Sequence, residues 1–206
     1  MKMPLGVILA GGQARRMGGG DKGRLMLGKT SLFKRAIERL EDQVSGVVLN
    51  ANGPAERFSD FGLPIIADNI PGFLGPLAGV LSGLDWAYDQ RVELIVTVAA
   101  DTPFFPSNLV SELLDVGQGM RAPLVLAATK DSAGKTWRHP TFGLWPVCLR
   151  NDLRKNLIAG LRKVLLWTEL HAGRDAFFEV NSFDPFFNVN TVEDLKIAQE
   201  FLEEDA

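Results

Sequence analysis

The chain has 206 residues and is 46% hydrophobic, enough for one sizeable core and too little for two independent ones. Its formal net charge of -3 argues against the extended basic face that nucleic acid or an anionic membrane would require, and no apolar run approaches the ~20 residues that span a bilayer. Cys148 is the single cysteine, and the N-terminus lacks the layout of a secretory signal, so a soluble cytoplasmic protein is expected.

Short apolar runs alternate with longer amphipathic segments, the pattern of βαβ units. The fold class expected is α/β: a single three-layer αβα domain, Rossmann-like, with a mainly parallel sheet. In chain order, "LGVILA" at 5–10 reads as the first strand, followed by a glycine-rich stretch over 11–24. "SLFKRAIERLED" places Leu32, Ala36, Ile37 and Leu40 on one helical face, with Thr30 or Ser31 as its cap. Strands follow at 46–50 and 63–67, then a helix from Pro76 to Tyr88, with proline in its favoured first turn. "ELIVTVAA" at 93–100 is the most hydrophobic strand, and a third helix runs through 106–115 with Ser107 as a possible cap. Another strand is expected at 123–128, a long loop at 129–140, and weaker strands at 141–145 and 177–180. Val147 to His171 reads as two helical pieces around Gly160, and Thr191 can cap a closing helix whose acidic residues form a solvated face.

Residues 9–30 match two nucleotide-binding patterns, and both fail on context. "GRLMLGKT" at 23–30 fits a P-loop, but Leu25, Met26 and Leu27 occupy positions where small residues should let backbone N–H groups reach phosphate. A short buried strand followed by a turn at Gly28-Lys29 is the better reading. "GGGDKG" at 18–23 fits a dinucleotide fingerprint, yet the nearest strand ends at Ala10, so no strand leads directly into a helix there.

In open α/β sheets, ligands bind beyond the carboxyl ends of the strands. The residues found there are the Gly11 to Lys22 stretch, then Asn50 and Asn52, then Asp68, then Asp101. Each alone is an ordinary turn residue; together they make a site. Gly11 and Gly12 leave room for a base or ribose, while Arg15, Arg16 and Lys22 supply the cations a polyphosphate needs. Asp101 ends a dry strand, where a hard divalent cation, magnesium, is the natural partner.

Taken in order, "LAGGQARRMGGGDK", "GPLAG" at 75–79, "DTPF" at 101–104, "HPTFGLW" at 139–145 and "NVNT" at 188–191 resemble the molybdenum cofactor guanylyltransferases over nearly the whole chain. "LAGG", "RMG" and "DK" are shared with the wider nucleotidyltransferases of the nucleotide-diphospho-sugar transferase type. The resemblance implies transfer of GMP from GTP to the terminal phosphate of molybdenum-molybdopterin, releasing pyrophosphate, with Mg2+ as cofactor. It also implies transient contacts with cofactor-inserting and cofactor-receiving proteins. By resemblance, nucleotide contacts fall on Leu9, Ala10, Gly11, Lys22, Asn50, Asp68 and Asp101, to which the room left by the glycines adds Gly12. The catalytic set is Arg16, Lys22 and Asp101, with Asp101 the metal ligand, and the acceptor side is His139, Asn188 and Asn190. The nucleotide half spans approximately 1–105 and the acceptor half approximately 106–206.

His139 reads as an acceptor-side or structural residue, because a phosphate acceptor is already ionised near neutral pH and needs no strong base. His171 reads as a surface residue near a helix end, and Trp137, Trp145 and Trp167 read first as core aromatics. Two alternatives stay open: a CTP-dependent cytidylyltransferase acting on the same pterin or another phosphate acceptor, and a non-catalytic chaperone that carries the cofactor.

Overall fold

The computed structural model describes residues 3–10, 22–72 and 75–204, without the side chains of Lys22 and Glu204. Strand β1 (Leu5–Leu9) opens the chain. A two-stranded hairpin follows, β2 (Met26–Leu27) with β3 (Thr30–Ser31), and leads into helix α1 (Leu32–Glu41). Then come β4 (Val47–Asn50), β5 (Ile65–Ile66), α2 (Pro76–Asp89), β6 (Leu94–Ala99) and α3 (Leu109–Gly117). The second half adds β7 (Val125–Lys130), β8 (Thr136–Pro146), α4 (Arg150–Ile158), α5 (Val164–Leu170), β9 (Arg174–Phe178) and α6 (Val192–Glu204).

Seven strands form one sheet in the order β5-β4-β1-β6-β8-β7-β9. All neighbours pair in parallel except those of β8, which runs antiparallel to both β6 and β7. Strands buried on both faces need continuous apolar runs, which is why "LIVTVA" of β6 is buried at all six positions. On one face, Ile8, Val96 and Val98 pack with Phe33, Ile37 and Leu40 of α1 and Leu109 and Leu113 of α3. On the other, Val7, Val48 and Ile95 pack with Leu77, Leu81 and Leu84 of α2, Leu153 and Leu157 of α4, and Trp145 and Trp167. These are the three layers expected. A smaller cluster joins Leu27, Leu32 and Phe104 to Val189 and Ala198, and so ties the β2–β3 hairpin to α6.

The P-loop pattern resolves into that hairpin. Gly28 adopts φ +65, a left-handed turn conformation that glycine enters without cost, and Leu27 is fully buried. Met26 is instead 55% exposed, so only part of "LML" enters the core. Ser31 caps α1 by accepting from the Lys34 N–H at 3.3 Å, and Thr191 accepts from the Asp194 N–H at 3.0 Å at the start of α6.

Three expectations are corrected. Helix α3 begins at Leu109 after Asn108, with no side-chain cap, so Ser107 does not cap it. Residues 129–140 are not a loop but the end of β7 and the start of β8, joined by a turn in which Asp131 accepts from the N–H groups of Ala133 and Lys135. Trp137, expected in the core, is 49% exposed, whereas His171 sits at the C-cap of α5, near the helix end as expected, with its Nε2 2.7 Å from Asp152 Oδ1 and its ring 4.8 Å from that of Trp167. Trp145 and Trp167 are fully buried as expected.

Candidate functional site

The carboxyl edge of the sheet is held together beyond the formal strand ends. The Ala10 N–H donates to Asn50 O at 2.9 Å, Ala51 N–H to Ile66 O at 2.9 Å and Ala100 N–H to Leu9 O at 3.1 Å. The residues following β1, β4, β5 and β6 are thus brought side by side. From the far end of the chain, the Val189 N–H donates to Asp101 O at 2.8 Å, which brings the 188–190 segment onto the tip of β6.

A cavity of about 320 Å³ opens on this edge, lined by Leu9, Asn50, Asp68, Gly75, Pro76, Gly79, Ala99, Asp101, Thr141 and Asn188. Its size is that of a small-ligand site. A larger cavity of about 760 Å³, lined in part by Tyr88, Arg121, Leu94 and Cys148, lies at the amino edge of the sheet and holds none of these strand-end groups.

Within the smaller cavity, Asp68 is gripped by two amides. Asn50 Nδ2 donates to Asp68 Oδ1 at 3.1 Å and to Ile66 O at 3.3 Å, and Asn52 Nδ2 donates to Asp68 Oδ2 at 2.8 Å. Asn52 Oδ1 in turn accepts from the Asp68 N–H at 2.9 Å. Each carboxylate oxygen takes one amide and keeps a further lone pair for a ligand donor. Asn50 is 2% exposed, so its amide must be satisfied internally, and it is.

Helix α2 approaches this lock closely. A Cβ at Gly79 would collide with Asn50 Oδ1 and stand 2.8 Å from Leu9 Cδ2, so glycine is required for α2 to lie against the ends of β1 and β4. Gly75, at φ +75 and ψ -168, turns the chain into α2 with a backbone that other residues rarely adopt, and Pro76 opens the helix. Gly75 and Pro76 at the α2 start line the cavity; the helix carries no side-chain cap there, and the Ala78 N–H donates to Gly75 O at 3.1 Å.

On the other side, Thr102, 1% exposed, donates from Oγ1 to Asn188 Oδ1 at 2.6 Å and orients that amide beside Asp101. Thr141 reaches the cavity because β8 bulges. Leu126 pairs with Gly143 while Ala127 already pairs with His139, which leaves Pro140 to Phe142 outside the ladder. Proline, which has no ladder N–H to give, suits that position.

Leu9, Asn50, Asp68, Asp101 and Asn188 therefore line one cavity. Ala10 is not among the lining residues; its N–H donates to Asn50 O at the end of β4. Asn190 and His139 do not line the cavity either: the Asn190 N–H donates to Asp194 Oδ2 at 2.8 Å, in the cap of α6. His139 Nε2 lies 3.0 Å from Thr129 Oγ1, and the ring stacks on Phe186 with centroids 4.1 Å apart. Burial lowers the His139 pKa below the ordinary histidine value against the opposing pull of Asp184, which favours the neutral ring. Gly11, Gly12 and Arg16 lie outside the described residues, as does the side chain of Lys22.

Gly75, Gly79, Ala99 and Thr141 were not among the candidate residues. "GPLAG" carried the signal for the two glycines, because paired glycines around a Pro-led helix start mark close backbone approach. Thr141 gave no signal, since the bulge that turns it inward depends on strand pairing.

A divalent metal is tested by the donor set. Among the described residues no cluster of three His, Cys, Asp or Glu side chains could hold an ion, so a cage built from protein ligands alone is not found there. Asp101 and Asp68 are the carboxylates of the cavity, and both Asp68 oxygens already accept amides. Asp101 on the cavity wall fits the way a divalent metal such as magnesium binds, through one or two carboxylates, substrate phosphates and retained water.

Comparison with known proteins gives the family and the fold. Residues 6–172 match the family described as "MobA-like NTP transferase domain". The chain is 44% identical over 197 residues to a molybdenum cofactor guanylyltransferase of Nitrobacter hamburgensis, covering 94% of this chain and 92% of that one. It is 46% identical over 197 residues to the enzyme of the same name from Bradyrhizobium, covering 94% and 91%. The crystal structure of molybdopterin-guanine dinucleotide biosynthesis protein A from Archaeoglobus fulgidus superposes with a TM-score of 0.70 over 97% of this chain and 99% of that one, at 22% identity, and so shares the nucleotidyltransferase fold. With the sheet edge, the Asp68 lock and Asp101 in place, the chain belongs to the molybdenum cofactor guanylyltransferase family.

Proposed function

We propose that the chain transfers GMP from GTP to the terminal phosphate of molybdenum-molybdopterin, forming the guanine dinucleotide cofactor and pyrophosphate. The observation that carries this reading is the convergence of Leu9, Asn50, Asp68 and Asp101 on one cavity at the carboxyl edge. A nucleoside fits between the α2 start and the Asp68 lock, with its phosphates directed toward Asp101. Leu9, Ala10, Gly11, Gly12, Asn50 and Asp68 are assigned to the nucleoside, and Arg16 and Lys22 to the triphosphate. Asn188, Asn190 and His139 are assigned to the acceptor side. The nucleotide half, approximately 1–105, and the acceptor half, approximately 106–206, then meet at Asp101 and Thr141.

An acceptor phosphate oxygen attacks the α-phosphorus in line, the new P–O bond forms as the bond to the β-phosphate breaks, and pyrophosphate leaves. No covalent enzyme intermediate is needed, so the protein contributes positioning and charge stabilisation. Asp101 would hold magnesium, which when bound would supply charge neutralisation to the leaving pyrophosphate. The neutral ring of His139, stacked on Phe186, serves to shape the acceptor wall and not as a base. We place the reaction in the cytoplasm, where the exposed free thiol of Cys148 stays reduced, and infer transient contacts with cofactor-inserting and cofactor-receiving proteins.

Purified protein incubated with magnesium, loaded pterin and either GTP or CTP should release pyrophosphate with GTP. Release with CTP alone would establish cytidylyl transfer instead, and release with neither would favour a carrier. Lys22→Ala should lower turnover at least 10²-fold while leaving the melting temperature near that of the wild type.

A further inference from the structure

Asp68, the carboxylate assigned to the nucleoside, follows β5, an edge strand of only two residues that pairs with β4 at Leu49 with Ile65 and Asn50 with Ile66. Beyond those positions the Asn50 and Asn52 side chains hold Asp68 from the β4 side. The next residue adds a second tie, to α2.

Asn69 is bonded twice to α2: its N–H donates to Ser82 Oγ at 3.1 Å and its Nδ2 to Asp85 Oδ2 at 2.8 Å. Ser82 and Asp85 are three residues apart and share a helical face. Ser82 is 2% exposed and anchored by donating to Ala78 O at 3.1 Å. The Asp85 carboxylate, 16% exposed, accepts from Arg154 Nη2 at 2.5 and 2.7 Å and lies 3.4 Å from Arg150 Nη1. Arg150 is itself fixed, with its guanidinium 3.7 Å from the centroid of the Tyr88 ring.

We propose that Asp85, held by Arg154 and Arg150 of α4, is a positioning residue for the nucleotide: through Asn69 it holds Asp68 at the site. The chain Arg154–Asp85–Asn69–Asp68 links a helix that lines no part of the cavity to the carboxylate that does. Arg154 meets both carboxylate oxygens of Asp85 through Nη2 alone, a charge-assisted contact that a single ammonium group can also make. Asp85 accepts charge-assisted bonds from behind and keeps a lone pair for Asn69 in front. The inference rests on the assignment of Asp68 to the nucleoside.

Contacts to the nucleoside are the same in ground and transition states, so loosening them weakens nucleotide binding without slowing chemistry. Asn69→Ala and Asp85→Asn should each raise the Kd for GTP, measured by calorimetry without acceptor, about five- to tenfold. KM for GTP should rise in step, while kcat and KM for the pterin stay within twofold. Because both variants cut one chain, the double variant should bind GTP no worse than the weaker single one; Arg154→Lys should keep near-wild-type affinity, and Arg154→Ala should not.

A merely structural role would lower the melting temperature of these variants and leave the GTP Kd unchanged, and that result overturns the inference, as would additive losses in the double variant. Asn69 is exposed, so Asn69→Ala keeps the test available if Asp85→Asn fails to fold. Asp68→Asn separates the two readings. If it leaves GTP binding intact, the assignment of Asp68 is wrong; if it weakens binding while Asn69→Ala does not, only the positioning inference falls.

Discussion

Gly79 shows how one missing side chain shapes the cavity. Its absent Cβ is what lets Asn50 stay in place, and Asn50 is bonded to Ile66 O and to Asp68. Gly79→Ala must displace the Asn50 amide or lift α2, and overpacking of this kind costs typically about 1–3 kcal/mol. Gly83 provides the control, because a Cβ there would meet Val7 Cγ2 at 2.8 Å and Ile95 Cδ1 at 3.0 Å, on the same helix but away from the cavity. Both alanine variants should melt several degrees lower than the wild type, and only Gly79→Ala should also weaken GTP binding. Equal GTP affinity in the two would show that Asn50 and Asp68 lie outside the nucleotide contacts. Asn50, Asp68 and Asp101 were legible in the sequence for a physical reason: a polar residue directly after a buried apolar run marks the point where a strand leaves the core. Thr141 was not, because its carbonyl accepts from Thr97 Oγ1 at 2.8 Å and its side chain reaches the cavity only after the bulge has turned that part of β8.

Strands β1, β4 and β6 could be read from the sequence because both their faces are covered, which demands unbroken apolar runs. The start of β8 could not. Thr136, Trp137 and Arg138 are exposed, and Pro140 and the turn residues around Gly134 resemble loop composition; their pairing with Ala127 to Lys130 is decided by tertiary partners. Helices α4 and α5 were legible as two pieces around Gly160, and each, being short, depends on the other. Their junction is Asp152, whose Oδ1 accepts from Trp167 Nε1 at 3.0 Å and from Asn156 Nδ2 at 3.0 Å, with His171 Nε2 at 2.7 Å. Desolvation pushes the Asp152 pKa up, but the bonds from Trp167, His171 and Asn156 together outweigh it and hold the carboxyl below its ordinary value. For a carboxylate lowered in the folded state, the stabilisation is present above the ordinary range near 3.9 and is lost as pH falls through the lower folded value. Asp152→Asn should therefore lower the urea midpoint relative to wild type at pH 7, and the difference should shrink as pH falls from about 5 to 3. A difference that stays constant across that range would mean that the charge of Asp152 does not join the two helices.

On the scale of the whole molecule, the cavity at the carboxyl edge takes residues from sequence positions as distant as Leu9 and Asn188, and every strand from β4 to β8 in the sheet order β4-β1-β6-β8 ends or bulges beside it. A ligand that fills it bridges α2, the central strands and the returning 188–190 segment, so binding must stabilise the fold as a unit. At a GTP concentration 100 times its Kd the gain is about 2.7 kcal/mol, which for a chain of this size corresponds to a rise in Tm of roughly 5–10 °C. If Asp101 holds magnesium against the phosphates, adding magnesium should enlarge that rise in the wild-type protein. In Asp101→Asn, GTP alone should still raise Tm, because Asn50 and Asp68 are intact, whereas magnesium should add nothing further. The measurement is a set of thermal melts with no ligand, GTP, magnesium, and both together, for the two proteins. A magnesium increment of the same size in Asp101→Asn would place the metal elsewhere, while the absence of any GTP shift in the wild type would remove the nucleotide from this cavity altogether.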